Sequence, residues 1–536
     1  MQEIGDNQNA LQGCEPQLEG QTGSDSEAIK MIRNHNNSYV EQVFEWIQNW
    51  LKENKLPFFA TIVIGLLSHM FAFANKFVNH DEIWSLFQKG ATVGSGRWGL
   101  ELVTAIFPNY SMPWIYGVIS LVLIAASVCL MISVFSIKSK TCQLLLGGLV
   151  VSFPSLTGTF CYMFTSTSYA LAFYCAVMAV WLVNAGGWKR IAKAMLLAVF
   201  SLSIYQAYIA IIASFFVLLL VIRLLWKDSS VKCIIISGVN MVAFLLAVLA
   251  IYYVSVVVSL RISGQELNSY ANNNFQLVSI NLLRRLYVIC VNIMYLFTRR
   301  NWDLINSSVS LVAHLALIAI LIWQVLRTKR DLPKAAMLFF LAAMLILAIN
   351  CMYLIAEEDA THTLVLYSYI TVYIFALKLI EEYLDKKVRV KDFALISLLV
   401  IMICNIYYAN ITYLQMNIVC ENGYAFFSSV VTQVKQTPGF DSQKKLALIG
   451  EGDNWIYDLE EFGDNKIRGT DPSLVNVISR DEFIKYYIGF DIPFATEDEI
   501  MQIEKTQEYQ DMEEYPWYGS VAIIDDYVVV KLGTED

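Results

Sequence analysis

The chain has 536 residues, of which 57% are hydrophobic and only 16% charged, an apolar excess that no single soluble core of that length can hide. Its net charge of -9 is concentrated in the tails, and without a basic face it argues against a nucleic-acid partner. The composition is that of a polytopic membrane protein.

Residues 1–37 are rich in Gln, Asn, Glu, Ser and Gly and read as a disordered cytoplasmic tail, with no cleavable signal peptide. In residues 38–56 the apolar positions Val43, Phe44, Ile47 and Leu51 follow a helical period, with Trp46 and Trp50 alongside. This fits an amphipathic helix lying flat on the inner surface, or equally a lead-in to the first span.

A bilayer core needs about 20 apolar residues per helix, and about eleven runs qualify. They are 57–78, 113–137, 141–163, 166–185, 190–204, 205–226, 233–259, 304–326, 333–356, 362–381 and 392–411. Two look short: 141–163 is interrupted by Pro154, with Ser155, Thr157 and Gly158 near its outer end, and 190–204 stops before Tyr205-Gln206. Sunken helix tops must be buried in protein or line a wet cavity, and the expectation is a pocket opening outward.

With a cytoplasmic N-terminus, every inner loop is basic: Lys138 and Lys140; Lys189, Arg190 and Lys193; Arg223, Lys227 and Lys232; Arg327, Lys329, Arg330 and Lys334; Lys386, Lys387, Arg389 and Lys391. This obeys the rule that Lys and Arg stay on the cytoplasmic side. An odd number of crossings then leaves residues 412–536 outside. There Leu446–Ile449, Val521–Ile524 and Val528–Leu532 read as strands with a turn at Asp525-Asp526, and Leu474–Tyr487 includes a helix. The expected architecture is mainly α, a membrane bundle over 57–411 with a small extracytoplasmic α+β domain.

The chemistry falls on the first outer loop, residues 79–112, which carries His80, Asp81 and Glu82. A carboxylate beside an apolar surface has its charged form disfavoured and its basicity raised, and a general base must reach the attacking hydroxyl. Neighbours on a helix point about 100° apart, so one acid faces the site while the other supports it; Asp81 is favoured as the base. The alternative is a pair of ordinary loop acids. In the same loop Leu102, Val103, Ile106 and Phe107 share a helix face that would lie along the outer interface.

Arg97, Arg261, Arg284, Arg285, Arg299 and Arg300 break the inside-positive pattern. Outward guanidinium groups suit a departing phosphate or, equally, lipid head groups. Between residues 260 and 303, Leu286–Phe297 is too short to span and reads as a re-entrant or surface-lying helix. Tyr205, Gln206 and Trp98 suit contact with a sugar, although Trp98 is also an aromatic-belt residue. Glu357-Glu358-Asp359 with His362 could bind a divalent cation, though a solvated loop explains them too. No cofactor is required. His69 and His314, inside spans, read as satisfied core histidines. The ten cysteines read as packing residues.

The run Asn79 to Trp98, with its acidic pair, Gly90, Gly94 and Gly96-Arg97-Trp98, resembles the Gtr type II family of polytopic glucosyltransferases, within the broad GT-C class. Tyr205-Gln206 after a short span and the stretch His362-Thr363-Leu364-Val365-Leu366-Tyr367-Ser368-Tyr369 are similar to it as well. The resemblance covers residues 57–411 and implies an undecaprenyl-phosphate-linked sugar donor, an extracytoplasmic cell-surface glycan as acceptor, inversion at the sugar carbon and a first-loop acid as base. Carried onto this chain, that role falls on Asp81, with Glu82 as neighbour. Where the family pattern holds two aspartates this chain has Asp-Glu, which leaves open which acid is the base.

The leading reading is therefore a membrane glycosyltransferase moving a sugar, glucose by resemblance, from a polyprenyl-phosphate carrier amid membrane lipids. A transporter or flippase of a lipid-linked sugar is the rival. It would place ionisable groups near the bilayer midplane, whereas here the charges cluster at the rims. A receptor-like or assembly protein leaves the acidic pair and the short spans unexplained.

Overall fold

The computed structural model describes residues 38–84, 86, 92–108, 110–227, 229–268, 282–298, 305–327, 331–355, 363–383, 388–450 and 479–533. The tail 1–37, Arg299, Arg300 and the cluster Glu357-Glu358-Asp359 with His362 lie outside these residues. Ser38 and Glu41 cap each other, the Glu41 N–H reaching Ser38 Oγ at 3.3 Å and the Ser38 N–H reaching Glu41 Oε2 at 2.7 Å. They start helix α1, Tyr39–Ala74, which passes Pro57 without a break. Of the two alternatives for residues 38–56, the backbone takes the lead-in.

The first connecting loop holds two short helices, α2 (His80–Trp84) and α3 (Trp98–Thr104). Then come α4 (Pro113–Phe135), α5 (Lys140–Val151), α6 (Pro154–Cys161), α7 (Met163–Ala185) and α8 (Trp188–Ile204). After a 3-10 turn at Gln206–Tyr208 follow α9 (Ile209–Trp226), α10 (Val231–Ser263) and α11 (Leu282–Thr298). The membrane part ends with α12 (Ser308–Arg327), α13 (Leu332–Ile349), α14 (Cys351–Ile355), a 3-10 stretch at Thr363–Tyr369, α15 (Ile370–Tyr383) and α16 (Val388–Gln436).

Among the described residues ten segments are long and apolar enough to cross a membrane, each on one of the apolar runs. The remaining run is α8, whose 17 residues cover about 26 Å at 1.5 Å each, short of the roughly 30 Å hydrocarbon layer. The loop helix α2 packs against α17 (Arg480–Tyr486) of the C-terminal domain. The two therefore share one side of the membrane, which requires an even number of crossings between them. Nine of the ten long segments lie between, and α8 supplies the further crossing.

Helix α1 packs on α4 and α5, α4 on α7, and α7 on α8. Small residues let the backbones approach: a Cβ on Gly117 would lie 2.3 Å from the Phe73 ring, and one on Gly147 2.4 Å from Thr61 Oγ1. Both intramembrane histidines have both ring nitrogens bonded. His69 meets Tyr413 Oη and Val151 O, each at 2.7 Å, and His314 meets Ser310 O at 2.7 Å and Tyr373 Oη at 2.8 Å.

Among the described residues both sunken helix tops are packed against protein. Every residue of α6 is buried, packed on Thr363–Tyr369 with Ser155 Oγ donating to Thr363 O at 2.5 Å. Helix α3 lies across the end of α8 with Gly99 against Ser203, so its face does not rest wholly on the interface: Val103 is buried while Leu102 and Ile106 are exposed. A Cβ on Gly99 would meet Ser203 Oγ at 2.0 Å and its carbonyl carbon at 3.1 Å. Gly99→Ala is expected to cost about 1–3 kcal/mol through overpacking, read from thermal unfolding, and Ser203→Gly in the same chain should recover part of it.

Helix α16 has 49 residues, about 74 Å at 1.5 Å each, and runs unbroken across the boundary that composition places at 411/412. Its far end carries a three-stranded sheet, β1 (Lys445–Gly450), β2 (Val521–Ile524) and β3 (Tyr527–Gly533), in the order β1-β3-β2. β1 pairs parallel with β3, and β2 antiparallel through the Asp525-Asp526 turn, where Asp525 has φ 51°. One face buries Leu446, Leu448, Val528 and Val530, the other Ala447, Ile449 and Val529.

Below β1, Lys445 Nζ lies 2.6 Å from Glu499 Oε1 at the start of α18 (Glu497–Ile503). That bond, with the Thr496 N–H, pulls the Glu499 carboxyl down to about 2. A carboxyl depressed on folding adds stability above its ordinary range and loses it as pH falls. Acid unfolding of this domain should therefore steepen between about 4.5 and 2, and circular dichroism of Glu499→Gln should show that step flattened.

Candidate active site

The acid turn begins at Asn79, which is buried. Its Oδ1 accepts from the Asp81 N–H at 3.0 Å, and its Nδ2 donates to Cys161 O at 3.3 Å, pinning the turn to the break between α6 and α7. On α2 the two acids then diverge. Glu82 is fully buried, its Oε1 accepting from Lys76 Nζ at 2.6 Å and from the Ser111 N–H at 2.8 Å, its Oε2 from Ser111 Oγ at 2.5 Å. These charge-assisted bonds occupy both oxygens.

Asp81 faces the other way. Its side chain is 56% exposed and lies 3.4 Å from His80 Nε2, so it stands at the water boundary and not against an apolar wall. The His80 ring meets Tyr162 edge-on at 6.3 Å, and its buried Nδ1 has no hydrogen-bond partner among the described residues.

A second cluster gathers Arg97, Trp98, Tyr205 and Gln206. Arg97 Nε donates to Gln206 Oε1 at 3.2 Å and its guanidinium to Tyr169 Oη at 3.3 Å. It lies 5.5 Å over the Tyr205 ring, which stacks on Tyr169 at 4.4 Å. Gln206 Nε2 donates to Ser95 O at 2.8 Å, and Trp98 Nε1 to Ser255 Oγ at 2.9 Å. Tyr252 Oη closes the back by donating to Gly96 O at 3.0 Å. Sequence reasoning missed Tyr169, Tyr252 and Ser255. The polar run Thr165-Ser166-Thr167-Ser168-Tyr169 at the head of an apolar span was the available signal.

Helix α7 relates the two clusters. His80 touches Tyr162 at its start and Arg97 touches Tyr169. Tyr162 is the residue before α7 and Tyr169 lies in its second turn, so both clusters are held at the same end of this helix. The other arginines are not drawn in: Arg261 is exposed on the last turn of α10, and Arg284 (exposed) and Arg285 (half-buried) sit at the start of α11. Among the described residues no group of His, Cys, Asp and Glu is placed to hold a metal ion.

The family model for Glucosyl transferase GtrII matches residues 70–380, which contain both clusters and more than half of the chain. The chain belongs to the GtrII glucosyl transferase family. As a GtrII protein with ten long apolar helices among its described residues it is a multi-pass membrane glycosyltransferase, acting between a sugar donor and an acceptor. No match was found among curated proteins or among solved structures. The GtrII match leaves out most of α1, which precedes residue 70, and the whole sheet domain, which lies beyond residue 380.

Proposed function

We propose that the protein transfers a glucosyl group from a polyprenyl-phosphate carrier at the outer leaflet to an extracytoplasmic cell-surface glycan, by direct displacement with inversion. Asp81 takes the proton of an acceptor hydroxyl, and that oxygen attacks the anomeric carbon. The bond from this carbon to the phosphate oxygen breaks and its electron pair leaves with the lipid phosphate, whose growing charge Arg97 meets. His80 and Gln206 hold sugar hydroxyls, and Trp98 offers its ring. Arg261, Arg284 and Arg285, with Arg299 and Arg300, serve the carrier phosphate or neighbouring lipid head groups.

The observation that carries this reading is the division of labour between the adjacent acids: Glu82 is fully buried on Lys76 and Ser111, while the Asp81 side chain is 56% exposed beside His80. The basic inner loops support an outward orientation for the acid turn, where a lipid carrier presents its sugar. The test is reconstitution with a radiolabelled polyprenyl-phosphate glucose and cell-envelope glycan. Label in the glycan supports the reading. Label that crosses the membrane still bound to its lipid supports a flippase and overturns it.

A further inference from the structure

Helix α2 has five residues, far too few to hold a helical turn in water by themselves, so its geometry comes from what packs around it. One side is Lys76 and Ser111. The other is the C-terminal domain, whose helix α17 packs against α2. The Tyr487 phenol, just past the end of α17, is raised above its ordinary value first by burial and next by the charge of Glu82.

Helix α17 is itself anchored. Arg480 donates to Gly450 O at 2.6 Å and Leu448 O at 2.5 Å at the end of β1. Phe483, fully buried, meets Tyr424 at 5.1 Å and Phe427 at 5.7 Å on α16, and Tyr487 stacks on Phe483 at 5.4 Å. Contacts thus run without a gap from the sheet, through α17, to the acid turn.

We propose that the C-terminal domain is a working part of the acid site: Phe483 and Tyr487 close over the Glu82–Lys76 pair, keep water off Glu82 and so position Asp81, the next residue on the same turn. The assignment rests on Asp81 as the base. Tyr487 is a positioning residue, since it acts through the support and not on the substrate.

The test compares wild type, Tyr487→Ala and Tyr487→Phe in the full chain, reading amide hydrogen exchange across residues 79–84, the melting temperature, and kcat and KM for the radiolabelled polyprenyl-phosphate glucose. Tyr487→Ala is expected to speed exchange in the turn about tenfold and to lower kcat about tenfold with KM unchanged. Tyr487→Phe, which keeps the stacked ring, restores both. Exchange and kcat as in wild type for Tyr487→Ala overturn the proposal. If the turn loosens but even wild type transfers no sugar, the mechanical link stands and the glucosyltransferase reading falls. Should Tyr487→Ala fail to accumulate, Phe483→Leu removes the same ring stack and carries the same expectations.

Discussion

Asp81→Asn is expected to lower the rate of sugar transfer by about 100- to 10,000-fold while leaving the fold intact. The side chain is more than half exposed, and changes at such surface positions shift stability by no more than about 0.5 kcal/mol. Asparagine keeps the shape but not the carboxylate basicity that takes the acceptor's proton, so the loss should appear in kcat and not in KM for the donor. Asp81→Glu returns a carboxylate at the wrong reach and should recover only part of the rate. Initial rates with labelled donor, set beside thermal unfolding of the same preparations, check both halves. Wild-type turnover in Asp81→Asn would remove this residue from the reaction.

Glu82 should behave in the opposite way. Removing one partner of a buried ion pair costs about 3–5 kcal/mol, and Glu82→Ala strands the Lys76 ammonium, the Ser111 N–H and the Ser111 hydroxyl together. Lys76 is 40% exposed and can turn to water, which places Glu82→Ala at the lower end of that range. Lys76→Met is harsher, because it leaves a carboxylate with no exposure at all without its cation. Glu82→Gln, which still accepts from Ser111, should cost about 1–3 kcal/mol. Thermal unfolding orders the three variants, and well below its midpoint Glu82→Gln should still turn over where Asp81→Asn does not. If Glu82→Gln is as stable as wild type and as inactive as Asp81→Asn, the roles of the two acids are reversed.

The membrane part was legible because a bilayer imposes a length and a polarity on each crossing. All eleven apolar runs coincide with helices, including α8, whose 17 residues fall short of the hydrocarbon thickness. The strands at Leu446, Val521 and Val528 were legible from short apolar runs in an otherwise polar region. What could not be read are contacts between distant residues. Nothing near Glu82 in sequence announces Ser111, and nothing in Arg97 announces Tyr169. What packs over the short helices is hidden for the same reason: Gly99 lies on Ser203, and α6 lies on Thr363–Tyr369. The continuation of α16 past 411 was not legible because Tyr413, Met416, Val419, Cys420 and Phe427 keep one side of it apolar while Asn410, Asn417, Glu421 and Asn422 break the run.

That unbroken α16 makes the protein a lever. Its lower half is set in hydrocarbon and its upper half is bolted to the sheet through Phe426, whose ring meets Tyr515 at 5.2 Å. A stiff rod anchored at both ends cannot lean in a thinner or thicker bilayer without swinging its load, so lipid composition becomes a mechanical input at the far end of the chain.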